Sequence, residues 1–271
     1  MNSSLMSSIK SFAVSRNTIA IWWFGQNGYI FKSPEGTLVS VDLYLSDSCA
    51  SRYPNINLRR RVPILIPPEE VEVDVYACIH SHLDHLDPST VAGLRSKDAI
   101  AFIGSGECGP LYQDCGIEAG RIHTLWPRAT FESRDLRLTA TFALPTDETD
   151  LNHVGFMLQF GTGPKVYITG DTDHHPLLYS AASQEPDLMI TCINGGFNNL
   201  SHWEAADLAA KIKPRVAIPC HYDMFPDNSI DPHQFRAALS QLSPETNYQQ
   251  LIHGTPFVCE LSGGRATYQK S

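Results

Sequence analysis

Seven cysteines are spread through 271 residues, an odd number with no C-x-x-C pair among them. That scatter excludes a disulfide framework and suits a chain kept reduced, as in the cytoplasm. No apolar run reaches the roughly 18 residues that a bilayer-spanning helix requires, so no membrane partner is expected. Positive charge is also scarce: 20 Lys and Arg stand against 29 Asp and Glu, a net charge of −9. A nucleic-acid binder usually carries a basic face, so the expected partner is a small molecule instead, for which an acidic protein still has room to build a local anion pocket. Repeats and low-complexity tracts are absent. Acidic residues are missing before Glu35, and residues 1–17 are serine-rich with Lys10 and Arg16. Lacking an apolar core segment and a small-residue cleavage site, this stretch reads as a flexible leader and not a secretion signal. Residues 18–271 then form one domain, large enough for a single core.

What the chain does have is the run Ile79-His80-Ser81-His82-Leu83-Asp84-His85. Four potential metal ligands fall within six residues, between an apolar segment and a helix start. In extended backbone, side chains two apart share a side, so His80 and His82 are placed to grip one ion. Asp84 and His85 follow where the chain turns and face a second ion. Imidazole and carboxylate are the donors expected for zinc, manganese or ferrous iron. Upstream, residues 71–79 alternate and then become continuously apolar, as a strand entering a buried sheet does. Downstream, Asp87-Pro88 reads as an N-cap with proline at the first helical position.

Further strands are expected over 18–24, 29–32, 37–42, 100–103, 136–143, 154–160, 165–169, 188–192 and 216–219. Helices are expected over 105–115, 201–212 and 232–242, the second opened by the capping box Ser201-His202-Trp203-Glu204. Residues 46–68 are irregular, rich in proline and arginine, and too long for a plain connection, which marks a lid or binding loop. Asp171 ends an apolar strand behind Gly170, where a carboxylate is able to bridge two cations. His221 ends another such strand.

The H-x-H-x-D-H loop resembles the signature of the metallo-β-lactamase superfamily. Ile21-Trp22-Trp23-Phe24-Gly25-Gln26-Asn27-Gly28, Val41-Asp42, Gly170-Asp171-Thr172, Ile193-Asn194-Gly195-Gly196-Phe197 and Pro219-Cys220-His221-Tyr222 follow in the order and rough spacing of the L-ascorbate-6-phosphate lactonase family. The resemblance implies an α/β fold, a four-layer αββα sandwich, and a cofactor of two divalent ions, Mn²⁺ or Zn²⁺. It implies a metal set of His80, His82, Asp84, His85, Asp171 and His221 with one further ligand. Asp147 is favoured for that place by the lactonase family, and His153, of the superfamily's usual residue type, is the alternative. Asp42 is expected to support a ligand, not to be one. Substrate contacts are expected from Asn194, Gly195 and His202, with Arg59 and Arg61 as phosphate-binding candidates. His174 and His175 are weaker candidates of the same kind. The implied activity is that of a metal-dependent hydrolase opening a small sugar-derived or phosphorylated lactone by attack of a hydroxide made at the metals, with Asp84 handling the proton. The competing activity is a phosphodiesterase acting on a small nucleotide or phospholipid headgroup. A homo-oligomer is compatible with either.

Overall fold

In a computed structural model, which describes residues 4–262 and 265–269, two mixed sheets lie face to face with helices outside each. The first half of the chain contributes α1 (Leu5–Ser11), β1 (Thr18–Trp23), β2 (Tyr29–Lys32), β3 (Leu38–Val41), α2 (Ser48–Arg52), β4 (Val75–Cys78), α3 (Pro88–Gly93), β5 (Ala101–Gly104), α4 (Cys108–Asp114) and β6 (Ile122–Thr124). The second half contributes β7 (Thr130–Ser133), β8 (Leu136–Phe142), β9 (Val154–Phe160), β10 (Lys165–Ile168), β11 (Leu188–Cys192), α5 (His202–Ile212), β12 (Val216–Cys220), α6 (Pro232–Leu242), β13 (Asn247–Tyr248), β14 (Phe257–Ser262) and β15 (Arg265–Gln269). One sheet runs β15-β14-β1-β2-β3-β4-β5-β6 and the other β13-β12-β11-β10-β9-β8-β7.

The continuously apolar strands follow from burial on both faces. In β1, Ile19, Ile21 and Trp23 join the core between the sheets, while Ala20 and Trp22 face the outer layer with Ile9 of α1, Val91 of α3 and Tyr112 of α4. The period of two sends alternate side chains to opposite faces, and here both faces are covered. On the far side, Ala205, Leu208, Ala209 and Ile212 of α5 and Phe235 and Leu239 of α6 pack into the same central core. Ser201 and Glu204 close the capping box foreseen for α5.

Residues 5–11 depart from the expected flexible leader. They form α1, with Met6 and Ile9 buried. The buried ammonium of Lys32 donates to the carbonyls of Ile9 at 3.0 Å and Phe12 at 2.8 Å, so a cation sits on the helix C-terminus and docks it. Three short strands escaped the sequence reading, β6, β7 and β13, along with β14 and β15 at the edge of the first sheet. The strand expected over 71–79 is shortened to β4 by Pro68–Glu70, a 3₁₀ turn, and by the loop that follows.

Topology explains why distant residues meet. β4, β10 and β12 lie in parallel runs, so their C-terminal ends share one rim, and the segments after them carry His80 to His85, Asp171 and His221. β9 is antiparallel to β10, with Phe156 opposite Ile168, so His153 at its start reaches the same rim. The Val154 amide donates to Ile79 O at 3.2 Å, which links the two sheets at that point.

Gly170 makes the turn into Asp171 possible. It has φ +65, and an added Cβ would lie 2.4 Å from Ile79 Cγ2. Gly36 has φ +83 with nothing within 4 Å of such a Cβ. Gly170→Ala is therefore expected to lower stability to urea by about 2–4 kcal/mol, and Gly36→Ala by about 1 kcal/mol, the backbone cost alone. Equal losses would mean that the approach of Ile79 is not the constraint.

Candidate metal centre

Two buried carboxylates hold the histidine loop in place. Asp42, at the end of β3, accepts from Ile79 N at 2.8 Å and Asn27 Nδ2 at 2.6 Å, and Asp150 accepts from Ser81 N at 2.7 Å. Asp42 also accepts from His85 Nδ1 at 2.7 Å, which turns His85 Nε2 inward. His153 Nδ1 donates to Asp171 O at 3.0 Å and so presents its own Nε2. A carbonyl only accepts, so this bond fixes the tautomer in which Nε2 is free to act as a ligand.

Three overlapping groups of donor atoms result, each within 4.8 Å: His80, His82 and His153; His80, His85 and Asp171; and Asp84, His85 and His221. Asp171 Oδ2 lies 3.4 Å from His85 Nε2 and 3.2 Å from His221 Nε2, while Asp84 Oδ2 lies 3.3 Å from His221 Nε2. Both ring nitrogens of His80, Nε2 of His85 and His153, and Oδ1 of Asp171 are buried without a hydrogen-bond partner. So many unpaired polar atoms converging in one place would be costly in a closed core. They fit divalent cations, for which imidazole and carboxylate are the proper donors.

Electrostatics divide the imidazoles into two kinds. Burial, then the neighbouring His85, His153 and His82, holds His80 well below the usual histidine range, and burial lowers His153 as well. His221 is opposed by burial, but Asp171 and Asp84 outweigh it and raise it to about 9, and the same carboxylates with Asp42 raise His85. Burial alone would push Asp84 and Asp171 up; the charges of His85 and His221 outweigh it and keep both ionised.

The expected ligands divide clearly by position. His80, His82, Asp84, His85, Asp171 and His221 come together. For the remaining place the structure puts His153 beside His80 and His82, with ring centroids 4.0 Å and 5.4 Å away. Asp147, the favoured candidate, instead has a half-exposed side chain that accepts from Thr149 N at 2.7 Å and lies 3.3 Å from His82 Nε2. His153 sits one residue before β9, and the bond to Asp171 O draws its ring inward.

A cavity of about 270 Å³ opens onto the cluster, lined by His82, Asp84, Asp147, Asp171 and His221 among others. The expected substrate contacts Asn194, Gly195, His202, Arg59 and Arg61 are not among its lining residues. Arg61 donates instead to Phe225 O at 3.2 Å, and Arg59 lines a neighbouring depression. Asn194 donates to Asn228 Oδ1 at 2.7 Å, and His174 lies 3.4 Å from Asp207, away from the cavity. His175 accepts from Leu177 N at the start of a 3₁₀ segment. Sequence reasoning missed Gln26 and Asn199. Gln26 Nε2 donates to Asp84 Oδ2 at 2.7 Å, and Asn199 Nδ2 to Asp171 Oδ2 at 2.7 Å. Gln26 was visible only as part of a glycine-flanked turn, and its φ of +47 is what aims it.

Two outcomes are expected. His153→Ala should lower the metal content of purified protein measured by elemental analysis, and Asp147→Ala should leave it near the unmutated level; the reverse result would move the ligand to Asp147. In chelator-treated protein, His221 is raised from 6.5 to about 9, so its stabilising charge is complete below about pH 6.5 and is lost as the pH rises through 9. His80 and His153, held low, cost stability below about 6.5, where the unfolded chain takes up their protons and the fold does not. Urea unfolding of the chelated protein should show greatest stability near pH 6.5, with a fall toward pH 9; stability still rising at pH 9 would refute the assignment of charge to His221.

The beta-lactamase superfamily domain matches residues 20–221. A metal-dependent hydrolase of Anaeromyxobacter dehalogenans is 28% identical over 83% of this chain and 82% of its own length. A probable L-ascorbate-6-phosphate lactonase of Salmonella gallinarum is 23% identical over 96% of this chain and 84% of its own. Among solved structures, a metallo hydrolase of the archaeon Ignicoccus hospitalis superposes with a TM-score of 0.71 at 16% identity, covering 90% of this chain and all of that one. The family match spans most of the chain, and the histidine and aspartate cluster sits at the rim where its sheets meet. The chain belongs to the beta-lactamase superfamily and is one of its metal-dependent hydrolases.

Proposed function

We propose that the protein opens a lactone or a comparable ester, and that two divalent ions, zinc or manganese, serve the reaction. One observation carries this reading: the Asp84 carboxylate lies on the cavity wall, between the inward-facing imidazoles and the space where a carbonyl would sit. His80, His82 and His153 would hold one ion, Asp84, His85 and His221 the other, and Asp171 would face both. The three-imidazole set suits zinc, and the mixed set suits zinc or manganese. When bound, the ions supply Lewis acidity and lower the pKa of a water toward about 7.

The chain's own groups do the rest. Asp84, kept ionised by its histidine neighbours, accepts a hydrogen bond from the attacking water and passes its proton to the departing alkoxide. Gln26 fixes that carboxylate through Oδ2, so its proton-accepting direction is set before substrate arrives. Asp42 holds His85 by Nδ1, and Asn199 holds Asp171, so two further donors are oriented in advance. The likeness to the probable lactonase supports the carbonyl chemistry. Seven cysteines, none bridged, support a reducing compartment such as the cytoplasm; among the described residues no helix is long and apolar enough to cross a membrane.

Metal-reconstituted protein should hydrolyse members of a lactone and ester panel faster than bis(4-nitrophenyl) phosphate. Asp84→Asn should lower kcat by about 10²-fold or more while thermal unfolding remains cooperative. Faster turnover of the phosphodiester would assign the site to phosphoryl chemistry, and an Asp84→Asn variant with near-normal turnover would remove the carboxylate from the proton path.

A further inference from the structure

Away from the metal-facing residues, Tyr53, Ile56, Leu58, Leu83, Phe197 and Phe225 make an apolar stretch of the cavity wall beside the uncharged Thr146, Thr149 and Asn228, and no lysine or arginine is among the lining residues. Two nearby arginines, Arg60 and Arg61, are engaged elsewhere, Arg59 lines the neighbouring depression, and the Arg52 guanidinium lies 5.8 Å from the centre of the Tyr53 ring. Arg60 donates to Val62 O at 3.1 Å and to Tyr44 O, with its guanidinium 5.0 Å from the centre of the Tyr44 ring. Arg61 donates to Phe225 O and Ser229 Oγ. The one carboxylate on the wall outside the three donor groups is Asp147. Its carboxylate accepts from Thr149 N at 2.7 Å and from Thr149 Oγ1 at 2.6 Å, and is half-exposed to the cavity.

The mouth is also built for an apolar guest. Phe197 and Asn198 both have left-handed backbone, φ +54 and +59, a conformation that a bulky side chain adopts only when its surroundings impose it. Asn198 Nδ2 donates to Thr146 O at 2.7 Å and pins that turn. Phe197 remains 53% exposed, and Tyr53 is 43% exposed. At ~30 Å³ per water the cavity holds about nine waters, so a small molecule fills it.

We infer that this pocket receives the neutral, apolar side chain of the substrate, alkyl or aryl, and discriminates against phosphorylated or carboxylated ones. This rests on the proposed carbonyl hydrolysis and deepens it. A phosphate placed against these walls would lose its water without gaining a cationic partner among the lining residues and would meet the acceptor oxygens of Asp147. An alkyl chain loses nothing there and removes apolar surface from water.

The test uses metal-reconstituted protein and two series of γ-lactones, one with neutral alkyl side chains of increasing length and one with chains of equal length ending in a phosphate monoester. The unreactive γ-lactams of both series are titrated by calorimetry. kcat/KM is expected to rise about threefold per methylene until the cavity is full, close to the value of burying a methylene group. Phosphorylated members should be at least about 30-fold poorer, and the lactams should rank in the same order. Phe197→Arg, a change at an exposed site, should raise the phosphorylated-to-neutral ratio by about tenfold. A preference for the phosphorylated series, no dependence on chain length, or no binding of either series overturns the inference. If neutral lactams bind in the expected order while no lactone is opened, the pocket stands and the carbonyl chemistry falls; if lactones are opened with no dependence on chain length, the chemistry stands and the pocket assignment falls.

Discussion

A single buried carboxylate organises this end of the molecule. Asp42 has no exposed surface, yet it accepts hydrogen bonds from Ile79 N, Asn27 Nδ2 and His85 Nδ1. Each bond reaches a different part of the structure: the start of the histidine loop, the turn between β1 and β2, and a metal-facing imidazole. A carboxylate in a dry interior is stable only when its lone pairs are met in this way. The same requirement fixes the geometry of the centre, because moving any of the three donors would leave a buried acceptor unmet. Its own φ of +49 shows the backbone bent to serve this position.

The cluster above Asp42 is governed by the same rule applied to several charges at once. His85 and His221 face Asp84 and Asp171, while at His80 and His153 burial outweighs the pull of Asp171, and of Asp150 on His153. Without metal, one half of the site is thus balanced by imidazolium and carboxylate pairs, and the other half is left with unprotonated imidazoles. A cation would displace protons from the first half and meet ready lone pairs in the second.

Much of this was legible in residue order, and the failures have physical causes. Strands buried on both faces announce themselves as apolar runs, and β9 and β11 matched their expected limits because turn residues close both ends. The H-x-H-x-D-H loop was readable because its donor residues are local in sequence. The place beside His80 and His82 was not, since putting the His153 ring there and Asp147 on the open side required knowing that β9 runs antiparallel to β10 and delivers its first residues to the rim. Short edge strands such as β7 alternate in burial and lack a distinctive apolar signal. The helix α1 was misjudged because its docking depends on Lys32, a residue twenty positions away whose charge suggested exposure, not a cap on helix carbonyls.

Gln26 and the loop 46–68 show a different limit, one of composition instead of topology. A glutamine in a glycine-flanked turn is chemically ordinary until its amide is found on Asp84, and three consecutive arginines look like an anion site until their partners are known. Arg60 and Arg61 are used to hold the loop against Tyr44, Val62 and Phe225, and that anchoring presents Tyr53, Ile56 and Leu58 to the cavity. These two cations therefore support the wall without appearing on it. A charge run in sequence indicates that carbonyls or carboxylates must be met somewhere, and only the fold decides whether those acceptors belong to a ligand or to the protein itself. For Arg60 and Arg61 they belong to the protein, since both guanidinium groups end on its own carbonyls and on Ser229 Oγ instead of on the cavity wall.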